Sequence, residues 1–334
     1  MGFFDTLIGH GGSSDPPSPE RPNANKISSV QTLVYRGSGT KHRDFCHDFL
    51  IHHETDKFFV GAVIDGCTGG THSQFASALF GKIFNLLLRI NKRLDGGYGP
   101  PQEPRDTAKY LMHEFCEKLC QAKYDLGLAH DELLCTILLA VYSKPLDKLF
   151  VIGFGDGYVH VNGKGYRIDN VRYGDVEVDG VLLEGKNMPD YLIADVDRIF
   201  EKYTEWSNTP MDWADQTDAD RQEWADMDYE TREKFNEWIS KQPTFEFEGV
   251  HDFSIATDGI YTFRSGEEDV TDKVIEILLD RKTGYGGTSR ETPRKKMNVI
   301  SFRNKPGESH PDKLHAMNED DLSFIRVIID KEGA

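Results

Sequence analysis

The stretch Phe58-Phe59-Val60-Gly61-Ala62-Val63-Ile64-Asp65-Gly66-Cys67-Thr68-Gly69-Gly70 carries the reading on which the fold turns. Its apolar run, residues 58–64, is too short for a buried helix and is rich in β-branched and aromatic residues. It reads as a strand central in a sheet. Asp-Gly then ends it, a pair that favours a turn. The same device recurs along the chain. Asp156-Gly157 follows the apolar run 150–155, and Asp258-Gly259 follows 253–257. Asp48 precedes the strand at 49–51, and Asp320-Asp321 precede the one at 322–329.

Working outward, Val30, Leu33 and Tyr35 open a strand, and further strands are expected at 133–142, 149–154, 158–161 and 166–168. Residues 73–94 repeat Phe75, Leu79, Ile83, Leu86, Leu87 and Ile90 at helical spacing. Residues 106–126 form a second helix with Tyr110, Leu111, Phe115 and Leu119 inward, and 271–279 a third. Strands fall as hairpin neighbours with helices in pairs between them, which predicts an α+β fold of packed sheets flanked by helices. Within the second helix, His113, Cys116 and Cys120 share one face; they read as core, since no fourth zinc ligand accompanies them.

Residues 1–27 are expected to be a disordered lead-in, on the Ser-, Pro-, Gly- and Asn-rich composition of Gly11 to Lys26, and 28–334 a single domain. The block from about 200 to 242 differs from the rest. It is acidic and helix-prone and holds all the tryptophans: Trp206, Trp213, Trp224 and Trp238. It reads as an inserted helical subdomain beside the functional end of the domain. The net charge of −17 disfavours a nucleic-acid partner and favours divalent cations and basic peptides. No apolar run is long enough to cross a bilayer, so no membrane association is expected. The 5 scattered cysteines suit a reducing cytoplasm.

If the aspartates at these strand ends converge, they repel one another. Two unit charges about 4 Å apart cost on the order of 4 kcal/mol at an effective dielectric of 20. Such a cluster calls for cations, and all-oxygen ligands favour hard ions such as Mg²⁺ or Mn²⁺. Two such ions can activate a water toward a phosphoryl centre. Arg43, five residues before Asp48, can hold phosphate oxygens with its planar fork.

The order of these pieces resembles the type 2C (PPM) family of metal-dependent protein Ser/Thr phosphatases. The resemblance rests on Arg43 to Asp48, Asp65-Gly66-Cys67-Thr68-Gly69, Cys135-Thr136, Gly155-Asp156-Gly157, Thr257-Asp258-Gly259 and Asp320-Asp321. The Cys46-His47-Asp48 form is similar to a bacterial branch. The resemblance spans roughly residues 30–330 apart from the acidic block.

It implies an α-β-β-α sandwich of two antiparallel sheets with two divalent cations, Mn²⁺ or Mg²⁺, at one end. Asp65, Asp258 and Asp320 would bind one cation; Asp65 and the Gly66 carbonyl would bind the second. Asp156 would serve an additional weaker site. Asp48 would order the attacking water, and Arg43 would hold the phosphate of a phosphorylated protein. His47 stands where many members have a Glu ligand, Cys67 where some have a His proposed as general acid, and Asp321 where Asn is usual. The competing expectation is a weak or inactive phosphatase-like module that binds a phosphoprotein or partner through the Trp-rich block.

Overall fold

The structure, a computed structural model, describes residues 27–42, 45–67, 72–90, 94, 103–169, 171–172, 176–178, 181–183, 188–189, 192–207, 218–279, 296–297 and 316–332. Most of the expected lead-in, Arg43 and Trp213 lie outside the described residues.

Two five-stranded antiparallel sheets form the centre. Their strands, in chain order, are β1 (Ile27–Gly37), β2 (Phe49–Glu54), β3 (Phe58–Gly66), β4 (Cys135–Ser143), β5 (Lys148–Phe154), β6 (Asp156–Val161), β7 (Lys164–Asp169), β8 (Thr244–Glu248), β9 (Asp252–Ala256) and β10 (Leu322–Lys331). One sheet runs β8-β5-β4-β3-β2 and the other β1-β10-β9-β6-β7. The unbroken apolar run of β3 is explained by burial on both faces. Phe59 and Val63 pack between the sheets against Phe253, Ile255, Ile325 and Val327. Val60, Ala62 and Ile64 point the other way, into a helical layer.

That layer contains α1 (Ser73–Ile90), α2 (Pro104–Leu126), α3 (Leu192–Ser207) and α4 (Asp218–Ile239). Phe84 stacks on Phe115 with ring centroids 4.1 Å apart, seating α1 on α2. The buried stripe of α1 is Ala76, Phe80, Ile83, Phe84, Leu87 and Leu88. Phe75, Leu86 and Ile90, members of the same helical repeat, are exposed. The helix is apolar nearly all round, so periodicity leaves the stripe open, and the aromatic contacts to α2 decide it. Cys116 and Cys120 are buried in this core, as their spacing suggests. On the other outer face α5 (Thr271–Leu279) packs with Ile260, Phe263, Leu322 and Phe324. The layers are therefore helix, sheet, sheet, helix.

The described part of the acidic block joins the main core. Phe200, Phe235, Trp238 and Ile239 are buried there. Trp238 stacks on Phe154 at 5.1 Å, and its Nε1 donates to Asp195 Oδ2 at 2.8 Å. The His113 ring lies edge-on to Phe200 and Phe235. After α4 the chain returns as β8 along β5. The alternation Thr-Phe-Glu-Phe-Glu is a period-two signal that the sequence reading passed over.

Candidate metal centre

Strand register places the aspartates at one end of the sandwich. Phe49 pairs with Ile64, so Asp48 enters β2 beside Asp65 as β3 ends. Asp65 pairs with Thr136 and Gly66 with Cys135. β5 ends at Phe154, paired with Ile137, and the chain crosses to the second sheet through Gly155. Gly155 has φ +100°, and a Cβ there would sit 2.6 Å from Thr136 Cβ, so this crossing needs glycine. It delivers Asp156 as the first residue of β6. β9 ends at Ala256, opposite Tyr158 and Phe324, which brings Thr257 and Asp258 to the same end as Asp320 and Asp321. Gly259 lies so close to Asp321 that a Cβ would be 1.7 Å from its carbonyl oxygen.

Asp65 carries the strongest signature. Burial, then the charges of Asp48 and Asp258, a hydrogen bond shared with Asp48, and the charge of Asp156 hold its carboxyl well above the usual range. Asp258 is pushed up to about 7 by burial and by Asp156, Asp320 and Asp48. Asp48 is pushed up to about 6 by burial and by Asp321 and Asp320, against hydrogen bonds from Asp65 and Thr257. Among the described residues, no lysine or arginine pairs with Asp48, Asp65 or Asp258. Asp48 Oδ1 is buried without a hydrogen-bond partner. Crowded oxygens with no protein cation among them fit hard divalent ions.

Residues outside the expected set support this end. Thr257 Oγ1 donates to Asp48 Oδ2 at 2.6 Å and accepts from the Ser323 N–H at 3.0 Å, fixing Asp48 to the start of β10. Asp321 is buried, its oxygens accepting from the backbone N–H groups of Gly39, at 2.8 Å, and His47. Asp320 is more open; its Oδ1 accepts from the Asp321 N–H at 2.9 Å. Its charge reaches Asp258 and Asp48. The pair thus divides. Both charges reach Asp48 and that of Asp320 also reaches Asp258, while Asp321 alone holds the backbone N–H groups of Gly39 and His47. Burial, then the charge of His42, lowers the pKa of His47 against the opposing charges of Asp321 and Asp320. Among the described residues two sets of three donors lie within 4.8 Å of one another, His42, His47 and Asp321 here and His113, Glu114 and Glu117 on α2; Asp65, Asp258 and Asp320 do not form such a set. His42 was not singled out in the sequence, where it is one polar residue in a polar run.

No protein-family model matches the chain, and no curated protein matches its sequence. Solved structures do match. The serine/threonine phosphatase Stp1 from Staphylococcus aureus is 11% identical with a TM-score of 0.49, over 93% of this chain and 99% of that one. The S. agalactiae serine/threonine phosphatase is 12% identical with a TM-score of 0.48, over 90% and 100%. The catalytic domain of the serine threonine protein phosphatase PstP, solved in complex with 2 manganese ions, is 11% identical with a TM-score of 0.45, over 90% and 98%. At such distances residue roles do not pass from one chain to another, and the functional reading rests on this chain's own atoms.

The raised carboxyl values give a stability prediction. A carboxyl whose folded value lies above its unfolded one binds protons more tightly in the folded state. Its contribution is present below about pH 4 and is lost as pH rises through about 6 to 7. A divalent ion replaces the lost protons. The rise in Tm produced by Mn²⁺ over EDTA should therefore be small at pH 5 and large at pH 8, as read by differential scanning fluorimetry. An equal shift at both values would mean that the ion binds elsewhere.

Proposed function

We propose that this chain is a metal-dependent protein Ser/Thr phosphatase of the type 2C kind, hydrolysing phosphoserine or phosphothreonine in proteins. The observation that carries the reading is the convergence of Asp48, Asp65, Asp156, Asp258 and Asp320 at one end of a two-sheet sandwich, where burial and mutual repulsion hold the carboxyls of Asp48, Asp65 and Asp258 above the usual range. Divalent cations bound there supply charge neutralisation for the phosphoryl oxygens and a water acidic enough to attack phosphorus.

The chain's own groups do the rest. Asp65, Asp258 and Asp320 would hold one cation, Asp65 and the Gly66 carbonyl a second, with Asp156 serving a weaker site. Asp48, held through Oδ2 by Thr257, keeps Oδ1 for orienting the attacking water and accepting its proton. Arg43, adjoining the described His42, binds the substrate phosphate by its guanidinium fork. With Cys67 where some members of that family have a histidine, solvent protonates the departing Ser or Thr oxygen. The acidic surface favours basic residues flanking the phosphosite.

The test is hydrolysis of p-nitrophenyl phosphate and of a phosphothreonine peptide. Both should require Mn²⁺ or Mg²⁺, fall to background in EDTA and return on adding metal. Turnover that survives thorough chelation would overturn the two-cation reading. A folded protein that binds phosphopeptide with no turnover in any metal would point to a binding module instead.

A further inference from the structure

Beside the carboxylate cluster lies a donor set of different chemistry. The rings of His42 and His47 stack with centroids 4.0 Å apart. Their Nδ1 atoms are buried and make no hydrogen bond. His42 Nδ1 lies 3.1 Å from Asp321 Oδ2 and 3.6 Å from Asp320 Oδ1. With one donor atom each, His42, His47 and Asp321 lie within 4.8 Å of one another.

The close approach of His42 Nδ1 to Asp321 Oδ2 is not made along a hydrogen-bonding direction. Two donors that close, yet not hydrogen-bonded to each other, have the spacing that neighbouring ligands of one ion would have. Around a tetrahedral zinc ion, ligand atoms about 2.0–2.1 Å from the metal stand about 3.3 Å apart. At 3.1 Å the His42–Asp321 pair is close to that separation. Asp321 is fixed by the Gly39 and His47 N–H groups, so the carboxylate arm is preset.

The geometry points to a separate binding position for an imidazole-preferring divalent cation, of the zinc class, held by His42, His47 and Asp321 at the rim of the acidic cluster. Neutral nitrogen donors add no negative charge and give Mg²⁺ little, whereas Zn²⁺ and Co²⁺ take imidazole readily. The protein would then discriminate between ions at one end of its fold, with oxygen-rich positions for Mg²⁺ or Mn²⁺ and a nitrogen-rich one for zinc-class metal. This deepens the metal-centre reading, and its test is independent of turnover.

Chelator-stripped full-length protein in excess Mg²⁺ is titrated with Co²⁺, a spectroscopic stand-in for zinc, and followed by visible absorption. The wild type should show a d–d band of a nitrogen-ligated, low-coordinate cobalt saturating at one equivalent. His42→Gln, checked for folding by circular dichroism, should lose the band or weaken affinity by tenfold or more. Asp65→Asn, which damages the oxygen-rich positions, should keep it. Absence of the band in wild type, or an unchanged band in His42→Gln, would show that no zinc-class ion is held at His42 and would overturn the proposal. A band lost in Asp65→Asn and kept in His42→Gln would place the cobalt in the carboxylate cluster and overturn the proposal. Failure of metal-dependent turnover with the cobalt band intact would sink the phosphatase reading alone.

Discussion

Asp65→Asn is expected to bring metal-dependent phosphoester turnover to background while leaving the folded protein as stable as before, or more so. The side chain keeps its size and its place at the end of β3, in register with Thr136. What it loses is the charge that two cations would share. Metal catalysis supplies several kcal/mol of transition-state stabilisation, and at 1.36 kcal/mol per decade the loss is about three orders of magnitude in kcat. The stability part follows from repulsion. Asp65 is half-buried and feels the charges of Asp48, Asp258 and Asp156, so without cations its charge opposes folding. Removing it should raise the Tm of the EDTA-treated protein at pH 8 and erase much of the gain from Mn²⁺. Near-normal turnover in this variant would overturn the site assignment. A collapsed Tm with lost turnover would instead make Asp65 a structural residue.

Much of this was legible in the chain because strand ends are local events. An apolar run that stops at Asp-Gly announces both the strand and the position of the carboxylate, and the sheets only need to align those ends. Asp65, Asp156 and Asp258 were placed at strand ends that way, and Asp48 and Asp320 by the strands they precede. What escaped depends on contacts between distant segments. Thr257 earns its role from Asp48 and Ser323, residues 209 and 66 positions away. His42 gains its meaning from Asp321 and from stacking on His47. The division of labour between Asp320 and Asp321 is set by backbone donors at Gly39 and His47 that no spacing rule names. The buried stripe of α1 escaped for the same reason. Its periodicity was sound, but the packing partner on α2 decides which side is inside.

Arg326→Met should destabilise the fold by about 3–5 kcal/mol, the cost of leaving a buried charge without its partner. Arg326 lies in the apolar strand β10 and is almost fully buried. Its guanidinium meets both oxygens of Asp252, at 3.2 and 2.6 Å. It also donates to the Leu278 and Leu279 carbonyls at the end of α5, at 2.9 and 2.6 Å. One side chain thus ties β10 to β9 and stops the C-terminus of α5, where a positive charge suits the helix dipole. β9 leads into Asp258 and β10 follows directly from Asp321, so this pair sets the register in which those carboxylates meet. Because a domain is typically stable by only about 5–15 kcal/mol, the single variant should show a large fall in urea midpoint. Pairing it with Asp252→Leu should recover a substantial part, since replacing both charges removes the orphan. The part not recovered measures the lost caps on Leu278 and Leu279. A single-variant cost below about 1 kcal/mol would show that water reaches Asp252, and the pair would then be an exposed one in energetic terms.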